Sequence, residues 1–199
     1  MGTLFVDKLD PQSGTALEIG SSGDTMTVPS GATLAIASGA TVTNSGTATG
    51  FGEANTPMFA ARASGNQAIS DSTATKVNFG TEDIDTNSAF ASSRFTVPSS
   101  HAGKYFFSSN LVSSSQDGVS TMRAIKIFVY KNGSYFNTMG TYTDNRNNYL
   151  DSDEVSYAFS LDLAVSDYIE IYAEVISTGG SGGNLQSSKC RFEGFKVAS

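Results

Sequence analysis

The densest chemistry in this chain lies between Asp144 and Glu154. Asp144, Asn145, Arg146, Asn147, Asn148 and Tyr149 run together, and Asp151, Asp153 and Glu154 follow at once. Carboxylates and amide carbonyls are hard oxygen donors, and calcium takes about six to eight of them, so Asp151, Asp153 and Glu154 are the metal candidates and calcium the candidate ion. The spacing is not that of a known calcium loop, which favours a solvated acidic segment. Tyr142 and Tyr149 add a second possibility: an aromatic face meets the C–H surface of a sugar while Asn, Asp and Arg meet its hydroxyls. The same tyrosines also suit a strand edge or a core. Asp83, Asp85, Gln116, Asp117 and Asn184 complete the polar candidates for glycan recognition, each in a stretch read as a loop.

Catalysis has little to stand on. His101 is the only histidine, placed in the turn Ser100-His101-Ala102-Gly103 without the serine and carboxylate pattern of a triad, so it reads as a solvated turn residue. Asp83 with Asp85 and Asp151 with Asp153 could pair as glycosidase carboxylates only at a separation that sequence does not supply. The chain is read as a non-enzyme. Cys190 is the only cysteine, which excludes an intrachain disulfide and a cysteine-based zinc cluster; its setting, Ser-Lys-Cys-Arg-Phe, predicts a buried, inert thiol.

The candidates need a scaffold, and Thr121 to Gly133 shows what kind. Ile125, Ile127 and Val129 share one parity while Lys126, Phe128 and Tyr130 share the other, so a strand here buries an aliphatic face and shows an amphipathic one. Asn132-Gly133 then closes a tight hairpin with Ser134 to Thr143 as the return strand. From Pro57 onward this grammar repeats about eight to ten times, which predicts a β sandwich or barrel. The connections Val97 to Gly103, Lys131 to Ser134 and Ala164 to Asp167 are short. Those at Gly80 to Ala89, Ser113 to Ser120, Asp144 to Asp153 and Ser177 to Ser188 are long and polar. Consecutive connections fall at opposite ends of such a sandwich, so the long ones are expected to gather on one end, where a rigid scaffold usually carries its binding surface.

Twenty glycines in 199 residues, 16% charged side chains and no tryptophan agree with a turn-rich all-β protein. Helical spacing is nearly absent, and no apolar run approaches the roughly 20 residues a membrane-spanning helix needs. A net charge of −7 excludes a nucleic-acid backbone as partner, because such binding depends on clustered lysine and arginine. The opening Met-Gly-Thr-Leu-Phe-Val-Asp-Lys lacks a basic stretch followed by an apolar one, so assembly in a cytoplasm is expected.

Residues 1–55 read differently from residues 56–199. Leu4, Val6 and Leu9 form a short leading strand, and then units beginning at Gly14, Gly23, Gly31 and Gly39 repeat at a period of about eight. Each unit is a turn and a strand with Leu17 and Ile19, Met26 and Val28, or Leu34 and Ile36 on one face, and Val42 continues the row. Such a ladder is too thin for an independent domain and buries its face by stacking on neighbours, which points to several chains wound round one axis as a β-prism or triple β-helix. A flexible Ser/Gly/Thr linker is the alternative, and the regular phase of the aliphatic residues speaks against it.

Phe59-Ala60-Ala61, Lys76-Val77-Asn78-Phe79, Phe90, Phe95-Thr96-Val97-Pro98, Gly103-Lys104-Tyr105-Phe106-Phe107, Tyr130-Lys131-Asn132-Gly133, Leu161-Asp162-Leu163 and Phe192-Glu193-Gly194-Phe195 occur in an order that resembles the C1q-like (C1q/tumour-necrosis-factor) globular domain. The resemblance implies a ten-stranded jelly roll that forms homotrimers, with both chain ends at its base and, in some relatives, calcium near its apex. Ala164-Val165-Ser166-Asp167 departs from the Gly-Asp usual in the family at that turn. The N-terminal Leu-Phe-Val-Asp-Lys-Leu and the Ser-Gly-Ala-Thr repeats resemble fibre proteins of bacteriophages, marine ones in particular. Together these resemblances imply a virion fibre protein: a trimeric shaft attached to other virion proteins at its N-terminal end, and a knob that recognises a bacterial surface polysaccharide. A trimeric decoration protein of capsid or tail without a receptor role is the alternative, and a polysaccharide-degrading enzyme comes third.

Overall fold

A computed structural model describes residues 9, 11, 13–17, 19–46, 55–116, 121–142 and 150–198, with only the backbone described at 141 and 142. The chain divides into two units, Met1–Thr49 and Gly50–Ser199.

In the first unit the period of eight is a period of turns. The Asp24, Ala32 and Ala40 amides donate to the carbonyls of Ser21, Pro29 and Ala37, at 3.0, 3.0 and 3.1 Å. Gly23, Gly31 and Gly39 stand third in these turns at φ +93°, +83° and +84°, the conformation a type II turn requires there and a Cβ resists. The expected strands between the turns are not formed: among the described residues of this unit no strand pairs with another. Leu17, Ile19, Met26, Val28, Leu34, Ile36 and Val42 are all exposed. Strands need neighbours for their backbone groups, and a single copy of this thin ladder supplies none.

The second unit holds thirteen strands among its described residues: β1 (Met58–Arg62), β2 (Gln67–Ile69), β3 (Thr75–Lys76), β4 (Thr81–Asp85), β5 (Phe90–Ala91), β6 (Arg94–Thr96), β7 (Gly103–Ser115), β8 (Met122–Lys131), β9 (Ser134–Tyr142), β10 (Ser152–Leu163), β11 (Tyr168–Ser177), β12 (Gly183–Leu185) and β13 (Arg191–Ala198). The pairing is nested. The hairpin β8–β9 lies innermost in sequence, β7 pairs β10, β6 pairs β11, and β1 pairs β13, every pair antiparallel. That nesting is the path of a jelly roll. One sheet runs β4-β1-β13-β7, with β10 along the other edge of β7 and β12 and β2 continuing beside its end; the second runs β5-β6-β11-β8-β9, with β3 beside β11. The all-β expectation holds; the ten strands become thirteen because several edges are made of pieces two or three residues long.

Between the sheets lies a core of phenylalanine and aliphatic side chains. Phe59 packs against Phe90, Phe95, Phe107 and Phe192 with ring centroids 4.9, 5.1, 6.3 and 4.8 Å away, which joins rings from both sheets. Ile125, Ile127 and Val129 are fully buried, as their parity predicts. Cys190 is buried too, its thiol donating to the Val112 carbonyl, and burial pushes that thiol above its ordinary range.

The short connections meet at one end. Val97 donates to the Asp167 carbonyl, Ser166 to that of Val97 and Asn132 to that of Tyr168, while the Asn132 side chain binds Asp167 and the Tyr168 amide. Asn132 at φ +54° and Gly133 at φ +76° make the turn that Asn-Gly predicts. β1 starts and β13 finishes at this same end, since Met58 pairs with Phe195 and Ala198 with Lys104.

The feet of the long connections meet at the other end, sewn by hydroxyls. Ser115 Oγ contacts Thr121 Oγ1, which contacts Ser181 Oγ, which reaches Ser177 Oγ, which donates to Asp71. The Ser177 amide also donates to Asp71, at 2.6 Å, and these bonds hold the Asp71 carboxyl below its usual value of 3.8. A carboxylate depressed in the fold contributes stability that is present above its unfolded value and lost as pH falls through the folded one. Asp71→Asn should therefore lower Tm at pH 7 and flatten its decline toward pH 3, as read by thermal melts across that range. Truncating the ring that links the sheets, Phe192→Ala, should cost about 3–5 kcal/mol in chemical denaturation.

Candidate functional site

The loop-rich end brings together part of the predicted set. Gln116 donates from its amide to the Gly183 carbonyl at 3.5 Å, and Asn184 follows in β12, paired with Ser114 and with Ala68. The Asp151 carbonyl accepts from the Ser115 amide, and Leu150 exchanges hydrogen bonds with Met122. Gln116, Asn184 and Asp151 thus surround one set of loop feet. Asp153 and Glu154 are successive residues of β10, so they point to opposite faces; Asp153 accepts from the Glu154 amide at 2.8 Å. Among the described residues no three His, Cys, Asp or Glu side chains converge as a metal site would require. Tyr142 ends β9. Asp117 and the run from Asp144 to Tyr149 lie outside the described residues.

Asp83 and Asp85 belong elsewhere. The segment Gly80 to Ala89, expected as a long loop at this end, is the edge strand β4 followed by a 3₁₀ turn at Thr86–Ser88. Its acidic composition hides a strand, but pairing with β1 on a sheet edge outweighs weak propensity. Asp83 accepts from Arg62 at 2.9 Å and from Arg191 at 3.2 Å on the outer face of the sheet. Asp85 lies at the opposite end of the sandwich, where one oxygen accepts from the Ala89 and Phe90 amides. Neither faces the loop cluster. His101 sits at the short-loop end as expected, with Nδ1 2.7 Å from the Ser99 carbonyl oxygen.

The structure adds a surface that loop reading missed. On the outer face of the first sheet, Met58, Phe195 and Phe106 pair in one row and Ile84 and Ala60 in the next. Phe106 and Phe195 have ring centroids 5.6 Å apart, and with Met58, Ala60 and Ile84 they line a shallow apolar depression. The row of Ile84 and Ala60 continues through Glu193, which also borders the depression, to Ser108 and Ala158, and beyond it lies the Arg62, Asp83 and Arg191 cluster. The signal in sequence was the run Tyr105-Phe106-Phe107: adjacent residues of a strand cannot both enter one core, so one ring had to face outward.

No protein-family model matches the chain, and no curated protein does. Among solved structures, it is similar to the globular domain of a zebrafish complement 1qA protein, at 17% identity over 71% of this chain and 97% of that one, with a TM-score of 0.47. It is also similar to murine APRIL, at 11% identity over 70% and 98% with a TM-score of 0.49, and to Eiger TNF from S. frugiperda, at 14% identity over 71% and 92% with a TM-score of 0.49.

Proposed function

We propose that this chain is a homotrimeric virion fibre or appendage protein, whose N-terminal repeats attach to other virion proteins and whose loop-rich end contacts a host surface polysaccharide. The observation that carries the trimer is apolar surface left uncovered in a single copy. The seven aliphatic side chains of the repeats are exposed at a regular period, and the sandwich adds exposed Ile84 and half-buried Met58, Phe106 and Phe195 on one outward face. Copies of the same chain supply matching ladders and matching faces, and closed symmetry lets each cover the next.

The recognition role rests on polarity of the sandwich. The first and last strands of the sandwich begin and finish at the short-loop end, and the feet of the long polar connections lie at the far end, where three identical weak sites would raise avidity together. The fibre assignment rests on the resemblance of the N-terminal repeats to bacteriophage fibres.

Light scattering should give three times the 20.8 kDa chain mass, and Phe195→Asp, which places a charge on the apolar face, should shift the population toward smaller species. A monodisperse single-chain mass for the unaltered protein removes the proposal. Purified trimer should compete with phage adsorption, and a Gly/Ser replacement of Asp144 to Asp153 should abolish the competition while leaving the mass unchanged. A trimer that neither binds cells nor competes is a decoration protein.

A further inference from the structure

The outer face of the second sheet carries a different chemistry from that of the first. Register places Tyr130 beside Tyr135, Phe128 between Thr138 and Tyr172, and Tyr172 beside Lys76, so Phe128, Tyr130, Tyr135 and Tyr172 share one face. Tyr130 and Tyr172 have ring centroids 4.2 Å apart; Tyr135 meets Tyr130 edge-on at 6.2 Å and Phe128 at 6.1 Å. These rings support one another but are not covered: Tyr135 is 55% exposed and the other three are half-buried. Among the described residues the hydroxyls of Tyr130, Tyr135 and Tyr172 have no hydrogen-bond partner. Burial, then the Glu170 charge, then the neighbouring tyrosines push the Tyr172 phenol up, which keeps it a donor.

The charges on this face are matched to one another. Lys76 Nζ lies 2.7 Å from Glu170 Oε1, Lys126 Nζ lies 2.7 Å from Glu174 Oε1, and the Arg94 guanidinium sits 4.6 Å above the Tyr168 ring. A polyanion therefore finds its would-be cations already engaged, on a chain of net charge −7. A protein partner broad enough to cover all four rings would also have to dry the two ion pairs that border them, and that desolvation is costly. A chain of neutral sugars avoids both penalties. Its C–H surface covers ring carbon, and its hydroxyls both donate and accept, so they can satisfy the phenols and keep the ammonium and carboxylate groups hydrogen-bonded.

We propose that the face built from Phe128, Tyr130, Tyr135 and Tyr172, flanked by the Lys76–Glu170 and Lys126–Glu174 pairs, binds an uncharged polysaccharide. It is a second surface, on the flank of the sandwich rather than its loop-rich end, and it stands whether or not the loops bind.

Native affinity electrophoresis of the full chain tests it, in gels containing laminarin, dextran or galactomannan as neutral probes and heparin as the polyanion. At least one neutral polymer should retard the protein. Tyr135→Ser, at an exposed position that leaves the core intact, should weaken the retardation at least about fivefold, and Tyr130→Ser with Tyr172→Ser should abolish it. Replacement of Asp144 to Asp153 should leave it unchanged, which separates this surface from the loop site. Retardation by heparin alone, by none of the polymers, or to an equal degree in the tyrosine variants overturns the proposal, as does a loss caused only by the loop replacement. Capture of a host surface protein that Tyr135→Ser abolishes, without retardation by any neutral polymer, overturns it too.

Discussion

The ring of Phe59 is the contact on which the sandwich depends. It stands in β1, on a sheet whose neighbours supply Phe107 and Phe192, and it meets Phe90 and Phe95 from the opposite sheet. Burying such rings is among the larger gains a domain of this size can make. The packing also constrains composition nearby. A Cβ at Gly194 would lie 2.5 Å from the Phe107 ring, so glycine lets that ring rest directly on β13. With the two sheets locked by their inward residues, alternation obliges each strand to present its other residues outward, and the two outer faces become the places where the molecule can differ from its core.

Those faces diverge. One is aliphatic and phenylalanine-rich at the end where the chain enters, grading through Ser108 and Ala158 to an ion cluster at Asp83. The other is tyrosine-rich with its charges matched in pairs. The first gains from being covered, since methyl and phenyl groups have no use for water. The second keeps polar tips on apolar bodies and tolerates wetting. The two ends are equally unlike: one is tied tightly by Asn132 and Asp167, the other is held at its feet by the hydroxyl chain from Ser115 to Asp71 and carries the longer connections.

The repeats pose the complementary problem. Their turns are complete within one chain, because each needs only a glycine at positive φ and one local hydrogen bond. Their aliphatic rows are not, because a ladder one residue wide has nothing of its own to pack against. Local structure is therefore intrinsic to the unit, while its aliphatic side chains stay exposed in a single copy.

Sequence by itself determined whatever is local or periodic: the all-β class, the inward set Ile125, Ile127 and Val129, the Asn-Gly hairpin, the turn period of the repeats, and the gathering of short connections at one end. Such features follow from parity and turn chemistry within a few residues. Tertiary structure alone decided what depends on partners distant in the chain. It made Thr81–Asp85, within the expected loop Gly80 to Ala89, an edge strand by offering β1 as a neighbour, which moved Asp83 and Asp85 away from the loop cluster. It joined Ser115, Thr121, Ser181, Ser177 and Asp71 across a span of 106 residues between Asp71 and Ser177. It also set Tyr130, Tyr135 and Tyr172 side by side, because strand register, which no single strand contains, determines which outward residues become neighbours.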